Sequence, residues 1–178
     1  MKREIEFYSE GFKLCGDVYV PDGFAAGEKR SAVLLCHGYT GVKDLYLPDN
    51  ARVLNEAGYV TMTFDYKGWG DSEGKSPHRL APYSRVADVQ AAMTFLGLQP
   101  EVNEDSIGIY GTSYGGATVS WVGAADQRAK FTVSVVGIGH GARWMSRVRR
   151  MDEWFDLLYR SKADREQRAL TGKSDIVE

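Results

Sequence analysis

Gly111-Thr112-Ser113-Tyr114-Gly115 is the stretch that decides the fold of this chain, because the segments on its two sides carry different structural patterns. A strand-like run precedes it at residues 106–110, and a helix-like run follows it at residues 116–125. A serine at a sharp strand-to-helix turn is exposed at the apex of that turn, beside the backbone N–H groups of the helix N-terminus. The pentapeptide therefore predicts that Ser113 is a nucleophile. The alternative is a glycine-rich turn that only packs a helix against a strand.

Apolar strands alternate with helices on both sides of this stretch. The first segments predict an antiparallel hairpin, and the later apolar runs are typical of strands that are covered on both faces. The predicted strands are 4–9, 12–20, 31–36, 59–64, 106–110 and 131–138, and the predicted helices are 48–57, 83–98 and 116–125. The pattern predicts an α/β fold with a mostly parallel sheet, an N-terminal antiparallel hairpin and helices on both faces.

The sequence changes character after the last predicted strand. Arginines alternate with acidic residues there, and tryptophan, phenylalanine and leucine side chains supply apolar contacts. Two or three helices are expected, at residues 142–150, 152–161 and 163–170.

Composition and charge exclude several classes of protein. Of the 178 residues 43% are hydrophobic and 26% are charged, which is typical of a globular protein. The formal net charge of −2 indicates no nucleic-acid partner, and no apolar run is long enough for a membrane span. The first residues are charged where a signal peptide would be apolar. Cys15 and Cys36 lie in predicted strands and suit buried free thiols. We therefore expect a cytoplasmic protein without a membrane partner.

Residues 37–41 follow a predicted parallel strand, so they lie at the same edge of the sheet as Ser113. In acyl transfer the tetrahedral intermediate carries an oxyanion, which needs two hydrogen-bond donors aimed at it. The backbone N–H groups of Tyr39 and Tyr114 are the predicted donors of this oxyanion hole, and the Tyr39 phenol is an alternative donor. His37 is expected to be structural rather than catalytic.

Residues 65–74 form a glycine-punctuated loop after the next predicted strand. Asp65, Asp71 and Ser72 are expected to bond neighbouring backbone N–H groups and to hold this loop rigid. The alternative places Asp65 or Trp69 in a substrate pocket. No metal site is expected, because the carboxylates have no histidine at ligand spacing.

Three motifs in this order resemble the α/β-hydrolase superfamily: His37-Gly38-x-x-Gly41, Asp65-x-Lys67-Gly68-x-Gly70-x-Ser72-x-Gly74 and Gly111-x-Ser113-x-Gly115. The closer similarity is to dienelactone-hydrolase-like, serine-aminopeptidase-like and X-Pro-peptidase-like enzymes. The resemblance implies a serine hydrolase that cleaves a carboxylic ester, or an amide or peptide, through an acyl-enzyme on Ser113. It implies a small-molecule acyl substrate and no cofactor. It also implies that residues 1–139 are the N-terminal part of the catalytic domain and that residues 140–178 begin a helical cap.

The resemblance further implies a triad acid and a triad histidine later in the chain than the nucleophile. Between Ser113 and His140, the one histidine that follows it, the acid is Asp126. Asp126 falls at the far end of the helix that starts after Ser113, so it cannot orient a base beside the serine. A dyad of Ser113 with His140 stays open, as does a role for His140 in lining a pocket or forming a hinge.

An apolar strand at residues 131–138 would form an exposed edge if the sheet ended there, which natural proteins avoid. We therefore expect that the lone chain is incomplete and that a companion chain supplies the remaining strands, the acid and the histidine. A homo-oligomer is a further possibility. Two other functions stay open: a non-catalytic hydrolase-like fragment that binds a ligand or partner, and an acyltransferase that uses the same residues.

Overall fold

A mostly parallel sheet forms the centre of the fold. The computed structural model describes residues 1–25, 27–74 and 80–174. Within them the strands run in the spatial order β1-β2-β4-β3-β5-β6. Their bounds are β1 (Lys2–Ser9), β2 (Phe12–Tyr19), β3 (Arg30–Cys36), β4 (Val60–Phe64), β5 (Val102–Thr112) and β6 (Ala129–Val135). The strands β3 to β6 are parallel to one another, whereas β2 is antiparallel to both β1 and β4. The predicted fold class is confirmed.

The N-terminal hairpin turns at Glu10 and Gly11. Both residues have positive φ, 47° and 81°, which is the conformation of a two-residue turn whose twist matches that of the strands. The register runs from Lys2 opposite Tyr19 to Ser9 opposite Phe12. The predicted hairpin is therefore confirmed, with β1 starting two residues earlier than expected.

Helices cover both faces of the sheet, as predicted. They are α1 (Leu47–Glu56), α2 (Pro82–Gly97) and α3 (Tyr114–Ala125). Because successive side chains of a strand point to opposite faces, Val33 and Leu35 of β3 pack in a small core with α1. The alternate residues of β3, Leu34 among them, belong to a larger core that contains α2 and α3. This arrangement brings the carboxyl ends of the parallel strands to one edge.

The strand β6 differs from the expectation of a covered strand. It pairs with β5 in parallel, and in the described part of the chain no strand pairs with its other edge. Phe131 and Val133 are 41% and 40% exposed. The prediction of a covered strand was wrong for this chain, because apolar composition indicates that a strand needs covering without indicating which segment covers it.

Residues Met1–Gly137 and Ile138–Glu178 form two compact units. The second unit contains α4 (Gly141–Arg147) and α5 (Met151–Thr171), which ends at Gly172 with φ 72°. Two or three helices were expected, and the described residues of this unit form two. The helix α5 is continuous because it contains no glycine or proline. In the described ranges, no helix combines the length and hydropathy that a membrane span requires.

Candidate active site

Ser113 alone forms the turn between β5, which ends at Thr112, and α3, which begins at Tyr114. Its backbone has φ 57° and ψ −118°, a conformation that costs a residue with a side chain about 1–3 kcal/mol. The Ser113 N–H donates to the Val135 carbonyl at 2.8 Å, which ties the turn to the end of β6. The predicted strand, turn and helix are therefore present in the expected order.

The glycines beside Ser113 are required by close backbone contacts. A Cβ atom at Gly111 would lie 2.3 Å from the Gly115 carbonyl oxygen. A Cβ atom at Gly115 would lie 2.4 Å from the carbonyl oxygen of Cys36, at the end of β3. Both distances are far below van der Waals contact, so each position excludes a side chain unless the backbone moves.

The fold brings the loop 37–41 against Ser113. A Cβ atom at Gly38 would lie 3.2 Å from the Cβ and 3.7 Å from the Oγ of Ser113. The Gly38 N–H donates to the Tyr46 hydroxyl at 2.9 Å, and the Gly41 N–H donates to the Gly38 carbonyl at 3.4 Å. Thr40 has φ 59°, which is unfavourable for a β-branched residue. The loop is thus a tight, strained turn next to the serine hydroxyl.

Two backbone donors adjoin this turn. The Tyr39 N–H has no hydrogen-bond acceptor among the residues that the structure describes. Tyr114 is the first residue of α3, so its N–H has no acceptor within the helix. The Tyr39 ring is 45% exposed and packs edge-on against Trp69, with 5.8 Å between ring centroids.

His37 is a buried and neutral residue. Its Nδ1 lies 2.8 Å from the Gly38 carbonyl oxygen, so Nδ1 carries the proton and donates it. Its Nε2 lies 4.0 Å from the Asp65 carboxylate. Burial, with a contribution from the positive charge of Arg85, lowers the pKa of His37 to about 3. The geometry agrees with the expected structural role.

Asp65 organises the loop 65–74. Its carboxylate accepts the N–H groups of Lys43 at 2.7 Å and Asp71 at 3.1 Å, and its carbonyl accepts the Ser72 hydroxyl at 2.7 Å. Burial raises the pKa of Asp65, and the two N–H groups oppose that rise. These hydrogen bonds agree with the prediction that Asp65 is a structural residue.

The two residues considered as triad partners lie in different units. Asp126 ends α3, where it pairs with Arg128 at 2.6 Å, and this hydrogen bond lowers its pKa to about 2. It lies at the far end of α3 from Ser113, as expected. His140 precedes α4 within Ile138–Glu178, and its Nδ1 accepts the Arg143 N–H at 3.2 Å. In the described part of Met1–Gly137 the one imidazole is that of His37.

Sequence reasoning missed Arg85, which lies in the first turn of α2 and is 2% exposed. Its guanidinium carbon lies 4.0, 5.3 and 5.5 Å from the ring centroids of Tyr66, Trp69 and Tyr114. The sequence did contain a signal. Arg85 precedes Val89, Ala92 and Leu96 by four, seven and eleven residues, which is the spacing of one helix face.

Comparisons with known proteins identify the family and the fold. The family model described as serine aminopeptidase, S33, matches residues 27–165. The chain belongs to this family. As a member of the serine aminopeptidase family it is similar to solved α/β hydrolases, among them GrgF from Penicillium sp. sh18. That structure has a TM-score of 0.78 and 23% identity, covering 99% of this chain and 57% of its own length. The α/β-hydrolase fold that the motifs implied is confirmed.

Two relatives of this family member are similar in sequence over 133 residues. An uncharacterized 31.7 kDa protein in the traX-finO intergenic region of Escherichia coli is 37% identical, over 75% of this chain and 44% of its own length. The thiohydrolase aneE of Aspergillus aculeatus is 34% identical, over 74% of this chain and 40% of its own length. The chain therefore spans less than half the length of these curated relatives.

Proposed function

We propose that this chain carries the nucleophile of a serine hydrolase that cleaves a carboxylic ester or thioester through an acyl-enzyme on Ser113. The observation that carries the proposal is the strained backbone of Ser113 in contact with the loop 37–41. A residue in this conformation destabilises the fold, and such strain collects at functional sites. The similarity to a thiohydrolase supports an acyl substrate, and the family description keeps amide and peptide bonds open.

The proposed reaction uses Ser113 and the two backbone donors. The Ser113 hydroxyl oxygen attacks the carbonyl carbon of the substrate, and its proton passes to a base. The carbonyl oxygen becomes negative and accepts hydrogen bonds from the N–H groups of Tyr39 and Tyr114. The alcohol or thiol then leaves with a proton, and water hydrolyses the acyl-serine to release the acid. One donor of this kind typically contributes about 100- to 1000-fold to the rate.

We also propose that a companion polypeptide supplies the histidine and the acid. His37 is unsuited as the base, because its Nδ1 donates to the Gly38 carbonyl and its pKa is about 3. The open side of β6 is the surface for the companion. Phe131, Val133 and Val135 are 41%, 40% and 36% exposed along a parallel strand, and such edges are normally covered.

Covalent labelling tests the nucleophile. We expect a fluorophosphonate probe to label Ser113 in the purified native assembly and Ser113→Ala to abolish both labelling and ester hydrolysis. Ser120→Ala is the matched control, because the Ser120 hydroxyl donates to the Gly116 carbonyl within the same helix. Full hydrolysis by Ser113→Ala would refute the proposal. Absence of labelling in the native assembly would favour the non-catalytic, ligand-binding alternative.

Mass spectrometry tests the companion. We expect the native particle to contain a second polypeptide, which denaturing conditions separate, and Val133→Lys to weaken its association. Val53→Lys is the control, because Val53 is 55% exposed on α1, away from the sheet edge. Loss of labelling in His140→Gln with the particle intact would instead assign the base to His140 and refute the companion's histidine.

A substrate panel tests the bond type. We expect hydrolysis of an acyl thioester and an acyl aryl ester, and slower release from an amino-acid amide. Transfer of the acyl group to an added alcohol in preference to water would identify an acyltransferase.

A further inference from the structure

Arg85 is a buried cation, and its contacts do not offset the free-energy cost of removing its charge from water. Charged side chains are almost never fully buried unless they are paired, yet Arg85 is 2% exposed. Its Nε and Nη2 atoms have no hydrogen-bond partner among the described residues. Asp88, one turn further along α2, is already bound to Ser9 and to Lys67. Three aromatic rings surround the guanidinium, but stacking contributes only about 0.5–2 kcal/mol.

The one side-chain hydrogen bond that Arg85 makes among the described residues goes to the site. Its Nη1 donates to the Gly38 carbonyl oxygen at 3.5 Å. His37 Nδ1 donates to the same oxygen at 2.8 Å. The Gly38 carbonyl is therefore held from two directions by side chains that are both buried.

This carbonyl belongs to the same peptide group as the Tyr39 N–H. In a trans peptide the C=O and N–H bonds lie in one plane and point in opposite directions. Fixing the direction of the Gly38 carbonyl therefore fixes the direction of the Tyr39 N–H. A cation bound to the carbonyl oxygen also polarises the amide, which makes its N–H a stronger donor.

Arg85 contacts the second donor residue as well. The Tyr114 ring lies over the guanidinium at 5.5 Å, and Tyr114 follows Ser113 directly. Arg85 thus contacts the carbonyl of the Gly38–Tyr39 peptide group and the side chain of Tyr114.

We propose that Arg85 is a positioning residue that aims and polarises the Gly38–Tyr39 peptide group, so that the Tyr39 N–H stabilises the oxyanion. The inference rests on the proposed hydrolase function and deepens it. Arg85 itself does not touch the substrate. It acts in the transition state, where the substrate oxygen is negative, and contributes little to ground-state binding.

Arg85→Met is the deciding variant, because methionine keeps an unbranched apolar stem among the aromatic rings and removes the guanidinium. In the native assembly we expect its kcat to fall about 10- to 100-fold while KM stays within about twofold. The affinity for phenylboronic acid, which forms a tetrahedral adduct with a reactive serine, should fall by a similar factor. Thermal stability should be unchanged or higher, since replacing an unpaired buried charge with an apolar group of similar size is commonly neutral or stabilising.

If the role of Arg85 is purely structural, Arg85→Met should instead have a lower melting temperature and a kcat within about twofold of wild type. That result would overturn the inference. If Arg85→Met does not fold, Arg85→Lys decides by the same kinetic criterion, because lysine keeps the charge and loses the planar donor fork.

Asp88→Asn is the matched control. Asp88 is 1% exposed on the same helix and bonds to Ser9 and Lys67 rather than to the loop 37–41. We expect it to lower stability and to leave kcat within about twofold. An equal fall of kcat in Asp88→Asn and Arg85→Met would mean general loosening and would refute the positioning role. Activity that survives in Ser113→Ala would refute the proposed function itself, whatever Arg85 does.

Discussion

Burial of an imidazole beside a permanent positive charge fixes its protonation state. His37 has no exposed surface and lies close enough to Arg85 for that charge to lower its pKa further, to about 3. The neutral ring donates to the Gly38 carbonyl and packs edge-on against Tyr66, with 4.8 Å between the ring centroids. A proton added to Nε2 would place a second buried cation behind the loop 37–41. Folding therefore depends on a neutral His37.

The pH dependence of stability should reveal this residue. The folded pKa of His37, about 3, lies below its unfolded value of 6.5, so the unfolded chain binds an extra proton between these values. Stability is thus full above pH 6.5 and is lost as the pH falls towards 3. Between about pH 7.5 and pH 5.5 we expect His37 to account for a loss of roughly 1 kcal/mol in the free energy of unfolding.

Urea unfolding of the wild type and of His37→Gln at both pH values measures this contribution. The variant lacks the titrating ring, so its stability should change less over the interval. Equal slopes in the two proteins would contradict a neutral, buried His37.

Residues with a local signature could be predicted from the sequence, whereas those defined by contacts could not. The turn at Ser113 could be predicted because small residues flank it between a strand pattern and a helix pattern. Arg85 was missed because arginine is usually exposed, and because the role of Arg85 depends on Gly38 and Tyr114, which are distant in sequence. The spacing of Arg85 from Val89 indicated burial, but nothing in the sequence named its partner.

At the scale of elements, a buried carboxylate joins three segments. Asp88 of α2 accepts the hydroxyl of Ser9 at the end of β1 at 2.7 Å. It also accepts the backbone N–H of Lys67 at 3.1 Å, and the Lys67 ammonium lies 3.1 Å away. Burial raises the pKa of Asp88, and these partners oppose that rise. The junction joins α2 to the end of β1 and to the loop after β4.

Ser9→Ala should weaken this junction. The change removes a donor to a buried charged acceptor, so we expect a loss of about 2 kcal/mol in the free energy of unfolding, measured in urea. Ser120→Ala removes an exposed hydroxyl that bonds only to its own helix, and its effect should stay within about 0.5 kcal/mol. Equal effects of the two substitutions would mean that the Asp88 junction contributes little.

Element types could be predicted because each has a period in the sequence, and the bounds of α1 and α2 agree with the expected ones within one residue. The segment that covers a strand could not be predicted in the same way. β6 has the apolar composition of an inner strand. Its own residues do not indicate which segment pairs with its open edge. The continuity of α5 through residues 161–163 was missed because Ser161 is a residue type that often ends one helix or caps the next.

At the scale of the whole molecule, the sheet has two unlike edges. β1 is a hairpin strand with alternating polar residues, whereas β6 carries apolar side chains and has an outer edge with which no strand of the described ranges pairs. Open apolar edges pair with whatever strand is available. We expect the chain produced alone to self-associate at micromolar concentration, as seen by sedimentation velocity.

Val133→Lys should shift this chain towards the monomer, because a charge on an edge strand opposes strand addition. Val53→Lys, on α1, should leave the association unchanged. A wild-type chain that stays monomeric at high concentration would contradict this view of β6.

The strained turn at Ser113 lowers the stability of the fold at the residue that the proposed reaction needs. Glycine adopts the φ of 57° and ψ of −118° without a steric penalty, so Ser113→Gly should yield an inert but more robust protein. Without selection for catalysis, replacement of Ser113 by glycine would be favoured because it increases stability. The energetic cost of serine at this position is thus one that the proposed nucleophile would explain.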